Sequence, residues 1–105
     1  MTYAQQMPGL LQKGKADTQD CKAWVDEQLS EMSLKEKIGQ LFIHTVAPLQ
    51  TQLNKNNIYA AIKEYKVGGL LFSGGQLSNQ VLLTNYAQSL AEVPLFITFA
   101  GEWGL

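Results

Sequence analysis

The sequence predicts an α/β fold of parallel βαβαβ type, on three observations. Short, largely apolar runs recur at 41–46, 69–73 and 95–99. Stretches with apolar residues at helical spacing separate them. The connections are too long for hairpins, and strands joined through helices pair in parallel by right-handed crossovers.

Residues 1–19 carry Pro8, Gly9 and Gly14 and no apolar periodicity. They read as a leader that is disordered or lies on the surface. Thr2-Tyr3-Ala4 followed by Gln5-Gln6 fits two readings. One is the small-x-small end of a signal peptide, which implies export to the periplasm or the extracellular space. The other is a plain disordered tail. Trp24, Val25, Leu29 and Met32 then fall on one helical face, so a helix is expected over 21–32.

Ser33-Leu34-Lys35-Glu36 is a capping box that opens a second, short helix ending near Gly39. The first strand, 41–46, is nearly all apolar, as a strand buried on both faces should be, and Pro48 ends it. Asn54 and Asn56 are candidate N-caps of the next helix, whose stripe is Ile58, Ala61, Ile62 and Tyr65. Gly68 suits a left-handed turn after it. The second strand, 69–73, is broken by Gly74-Gly75. The third helix is expected at 79–91, capped by Ser78, with Leu82, Tyr86 and Leu90 in line and Leu83 and Ala87 beside them. Pro94 restarts the chain as the third strand.

Composition narrows the function. The chain has 105 residues, 46% hydrophobic and 16% charged, with formal net charge −1. That suits one globular domain and lacks the basic excess that nucleic acids or anionic membranes require. No apolar run has the length of a membrane span. Cys21 is the single cysteine and His44 the single histidine, so neither an internal disulfide nor a zinc site is expected. No cofactor fingerprint is present: Ser73-Gly74-Gly75-Gln76 follows a strand but lacks both G-x-G-x-x-G and a P-loop lysine.

Three parallel strands are few for a fold of this kind. A parallel sheet is covered on both faces, and the chain ends at Leu105 with no helix after its third strand. We therefore expect part of a larger α/β fold; a closed eight-stranded barrel takes ~250 residues.

Three segments carry a resemblance. Met32-Ser33-Leu34-Lys35-Glu36-Lys37-Ile38-Gly39-Gln40 is similar to M-[ST]-L-x-E-K-[IV]-[GA]-Q. Val67-Gly68-Gly69-Leu70-Leu71-Phe72 is similar to V-G-G-[IL]-[IL]-[LF]. Pro94-Leu95-Phe96-Ile97-Thr98-Phe99-Ala100-Gly101-Glu102-Trp103-Gly104 resembles P-L-[FL]-[IV]-x-x-D-x-E-x-G. Together, and in this spacing over 24–105, they resemble the N-terminal barrel of glycoside hydrolase family 3, in its β-N-acetylhexosaminidase-type form. The resemblance implies that residues 20–105 form the first three strands of a TIM-type (β/α)8 barrel. It further implies a parent enzyme that cleaves terminal β-linked N-acetylglucosamine without metal or cofactor.

The resemblance also points to substrate-binding positions. The family has an aspartate at the end of the third strand that bonds sugar hydroxyls; this sequence has Ala100, which offers no side-chain acceptor. Glu102 lies just past the same strand and could orient pocket groups, although a lone carboxylate is more often structural or solvated. Trp103 could stack on a sugar, although an aromatic is more often packing. The family's nucleophile and acid/base belong to later strands and loops, so no residue here is assigned a catalytic role. His44 reads as a core or rim histidine, since no carboxylate or serine is spaced to work with it.

Two other readings remain open. One is a small flavodoxin-like module that binds a ligand at the strand ends. The other is a non-catalytic fragment that self-associates through exposed sheet edges.

Overall fold

The computed structural model describes residues 15–101, which form α1 (Lys15–Glu31), α2 (Leu34–Gly39), β1 (Ile43–Val46), α3 (Gln52–Lys63), β2 (Gly69–Phe72), α4 (Leu77–Leu90) and β3 (Phe96–Phe99). The chain divides into two units, Met1–Met32 and Ser33–Leu105.

In the first unit, α1 starts at Lys15, inside the stretch 1–19 expected to be a leader that is disordered or lies on the surface, and before the helix start expected at 21. Lys15, Ala16 and Gln19 are good helix formers, and no glycine or proline interrupts them. Apolar periodicity does not register a helical turn that lacks apolar residues. Lys22 pairs with Asp26 at 3.4 Å, one turn apart.

The second unit opens with the expected capping box. Ser33 Oγ accepts from the Glu36 backbone N–H at 3.2 Å, and the Ser33 N–H donates to Glu36 Oε2 at 2.7 Å. The chain then turns tightly: the Leu41 N–H donates to Ile38 O and the Phe42 N–H to Gly39 O, both at 3.0 Å. That turn consumes Leu41 and Phe42, so β1 begins at Ile43 rather than 41.

The sheet has the order β1-β2-β3, with both pairings parallel. Ile43, Gly69 and Phe96 share one row, and Val46, Phe72 and Phe99 another. The parallel βαβαβ arrangement read from the sequence is therefore present. A flavodoxin-like sheet has its first strand between the second and third; here β2 is central.

One core joins the sheet to its two crossover helices. Val46, Leu70 and Phe72 pack with Ile58, Ala61 and Ile62 of α3 and Leu83 and Ala87 of α4. Ile58, Leu70, Phe72 and Leu83 are fully enclosed, each contributing about 1.5–3 kcal/mol of burial. Helices α3 and α4 also pack against each other, so both cover the same face.

The opposite face of the sheet is open. Ile43 is 56% exposed and Phe96 77% exposed. A Cβ on Gly69 would strike the Phe96 carbonyl at 2.7 Å and crowd Phe96 Cβ at 3.1 Å, with Ile43 Cγ1 in ordinary contact at 3.5 Å. The expectation of strands buried on both faces thus holds best for β2, where Gly69, Leu70 and Phe72 are buried, and fails for β1 and β3. Both helices lie on one side, and nothing among the described residues of this unit covers the other.

Several local expectations change. The α3 cap is Thr51, whose Oγ1 accepts from the Asn54 N–H at 3.2 Å; neither Asn54 nor Asn56 caps it. The left-handed residue after α3 is Lys66, at φ 54°, and not Gly68. Gly68 serves close approach instead, since a Cβ there would strike the Gln40 carbonyl. The α4 N-cap is Gln76, with no side-chain cap bond, and Ser78 lies inside the first turn. Leu82 is 57% exposed, so the packed stripe runs through Leu83, Tyr86, Ala87 and Leu90. Tyr65 lies past the end of α3 and is 60% exposed.

Candidate functional site at the strand carboxyl ends

Parallel strands deliver their following loops to one edge of the sheet, where ligands of α/β proteins generally bind. Two loops meet there. After β1, Pro48 is buried, and Asn54 Nδ2 donates to Ala47 O at 2.7 Å and to Leu49 O at 2.8 Å. One amide thus holds the loop in shape from the first turn of α3. After β2, the Ser73 N–H donates to Val46 O at 3.0 Å and extends the ladder by one residue. Gly75 lies against Pro48 so closely that a Cβ would strike the ring. Gln50 Nε2 reaches Asn79 O at 3.4 Å and ties the first loop to α4.

Between these loops lies a recess of about 370 Å³, walled by Pro48 and Leu49 on one side and Gly74, Gly75, Gln76 and Asn79 on the other. Its polar groups are amides and backbone. No carboxylate lines it.

Ala100 is exposed and follows β3 directly. The row of Thr45, Leu71 and Thr98 lies on the open face, and two-residue alternation carries Ala47, Ser73 and Ala100 on from it. Ala100 therefore falls at the carboxyl rim of the open face. Glu102 and Trp103 lie outside the described residues.

His44 is elsewhere. It shares a row with Leu70 and Ile97 on the helix-covered side and is partly buried, consistent with a rim histidine. It borders a second cleft, of about 520 Å³, framed by α2, β1 and α3. Lys35, Asn57 and Tyr65 border the same cleft, over a surface made by Ile38, Phe42, Ala60, Ala61 and Val67 that reaches Ile43 at the edge of β1. Cys21 is a free thiol in α1. No group of three or more His, Cys, Asp and Glu among the described residues could hold a metal ion. No helix among them is long and apolar enough to cross a membrane.

The sequence reading missed the residues that shape these loops. Asn54 was expected to cap a helix and instead holds two loop carbonyls. Gln88 clasps the backbone ahead of β3, accepting from the Leu95 N–H and donating to Leu95 O, both at 3.0 Å. Asn54 carries only a capping signal, and Gln88 carries no periodic or motif signal. The two glycine-bearing motifs meet each other: Gln40 Nε2 donates to Lys66 O at 2.9 Å, and the Gly68 N–H donates to Phe42 O at 3.0 Å. Their conformational demands are those of a packed joint between α2 and β2.

Comparison with family models, curated proteins and solved structures found no match for this chain.

Proposed function

We propose that this chain supplies the first three βα units of an exported glycoside hydrolase barrel of the family 3 type, and that the whole protein removes terminal β-linked N-acetylglucosamine. The observation that carries the reading is the winding of the sheet. Strands in sequential order, with both crossover helices on one face, are what a barrel wall requires. The open face, with Thr45, Leu71 and Thr98 at its upper level, corresponds to a barrel interior.

The first half of a dinucleotide-binding sheet has the same strand order, but it carries G-x-G-x-x-G after its first strand. Here that place is held by Ala47-Pro48-Leu49. The glycine-poor, proline-stiffened loop favours the hydrolase reading.

Two-step retaining hydrolysis uses a carboxylate nucleophile and an acid/base about 5 Å apart. The recess at the strand ends offers amides for sugar hydroxyls and no such pair. The part played by these residues is therefore substrate binding, with Ala100, Glu102 and Trp103 at the third strand's end. Ala100 weakens that role, because a sugar hydroxyl meets a methyl group where the family has an acceptor.

The test has two arms. The 105-residue chain is assayed with a chromogenic N-acetyl-β-glucosaminide, and no saturable turnover is expected. N-acetylglucosamine is then titrated by amide NMR against the chain and its Ala100→Asp variant. Shifts should fall at 47–50, 73–76 and 98–101. One restored charge-assisted hydrogen bond of about 1.4 kcal/mol would tighten binding about tenfold. Shifts elsewhere, or equal affinity of the two proteins, would refute the carbohydrate reading.

A further inference from the structure

We propose that the cleft framed by α2, β1 and α3 binds a small monocarboxylate with an apolar body. The inference does not rest on the carbohydrate reading, and the cleft is separate from the recess at the strand ends.

The size is that of a ligand site. About 520 Å³ lies within the range of roughly 300–1,000 Å³ for small-molecule pockets. The surface is apolar and incompletely covered: Ile38 is 47% exposed and Phe42 59% exposed. An exposed apolar patch rimmed by polar groups is the usual mark of a binding surface.

The rim selects the ligand. Lys35, His44, Asn57 and Tyr65 border the cleft, and none of their side chains has a hydrogen-bond or ion-pair partner among the described residues. Each can donate: an ammonium, an imidazole N–H, an amide and a phenol. No Asp or Glu lines the cleft. Lys35 carries the one formal charge of the lining, and its complement is an anion. Lys35, Asn57 and Tyr65 are exposed and hydrated, so a wholly apolar occupant gains nothing from them. A carboxylate takes several donors at once, while an alkyl body covers the exposed Ile38 and Phe42.

Sodium octanoate is the probe, with 1-octanol as its neutral counterpart, titrated into the full chain by amide NMR. Octanoate should saturate, with shifts centred on 35–44 and 57–67. Octanol should bind about tenfold more weakly. Lys35→Met should weaken octanoate about threefold to tenfold and leave octanol unchanged, as expected for one exposed charge pair. Lys35 has no partner to lose, so the variant should melt as the parent does; His44→Gln gives a second reading from the strand side. Equal affinity for octanol and octanoate would overturn the proposal. So would shifts centred on the open face at 96–98. The titration is repeated at two protein concentrations. A loss of affinity at the higher one would mean that a second copy fills the cleft, and would also overturn it.

Discussion

Gln40 donates its side-chain amide to the carbonyl of Lys66 at 2.9 Å, across 26 residues of sequence. Lys66 is the non-glycine residue with positive φ among those described, at 54°. The bond joins the turn after α2 to the strained turn before β2. Gly39 and Gly68 flank it, and each comes too near opposing backbone for any side chain.

Removing the amide should loosen this joint. Gln40→Ala is expected to lower stability by about 1–2 kcal/mol, the loss of a partly buried hydrogen bond. Lys66→Gly should act oppositely and raise it by about 0.5–1 kcal/mol, because glycine adopts left-handed backbone without penalty. The exposed pairing of Lys66 with Glu92 offsets little of that gain. Urea unfolding of the two variants checks both signs.

The glycines divide by what surrounds them. Gly68→Ala should cost about 3 kcal/mol or prevent folding, since the new methyl meets the Gln40 backbone rather than a movable side chain. Gly74→Ala should fall within about 0.5 kcal/mol, because nothing lies within 4 Å of its would-be Cβ. Thermal melts followed by circular dichroism separate the two.

The capping box gives a pH dependence of known sign. The Ser33 backbone N–H, and then the contact with its side chain, hold the Glu36 carboxyl below its ordinary value of 4.5. A carboxyl depressed in the folded state contributes stability above its unfolded value and loses it as pH falls through the folded one. Glu36→Gln keeps an acceptor for the Ser33 N–H but has no charge to lose. The parent's advantage over the variant should therefore be constant from pH 7 to about 5 and shrink below 4.5. Urea midpoints measured from pH 7 to 3 test this.

The open face should drive association. Phe96 and Ile43 lie on it largely exposed, with no charge between them and with Thr45, Leu71 and Thr98 alongside. A contiguous apolar surface of this kind seldom stays free in a soluble monomer. Light scattering coupled to size exclusion should show mass rising with concentration. Phe96→Lys should return it to the monomer value, since a charge there opposes sheet-on-sheet burial. A parent chain that stays monomeric at high concentration would contradict the expectation.

Core truncation should be costly in the usual range. Leu83→Ala removes a fully enclosed side chain between α4 and the sheet, and should lose about 2–5 kcal/mol. The same urea series measures it.

The order of elements was readable in the sequence because each signal is local. Apolar runs bounded by Pro48, Gly74 and Pro94 marked the strands, and Ser33 with Glu36 marked a helix start within hydrogen-bond reach. Parallel pairing followed from the length of the connections. Errors fell where a local signal had rivals: three residues near the start of α3 can cap, and Thr51 wins because Asn54 is drawn to the loop carbonyls of Ala47 and Leu49. Which face of each strand is covered was not local. It depends on both crossovers turning the same way, so that α3 and α4 share one side and leave Ile43 and Phe96 on the other. The same holds for the two clefts, which exist only where residues distant in sequence meet. His44 and Tyr65 border one surface, and Pro48 and Gly75 another, because the sheet and its helices bring separate loops together. Sequence spacing sets what each segment can form, and packing between segments decides which side chains remain free for chemistry.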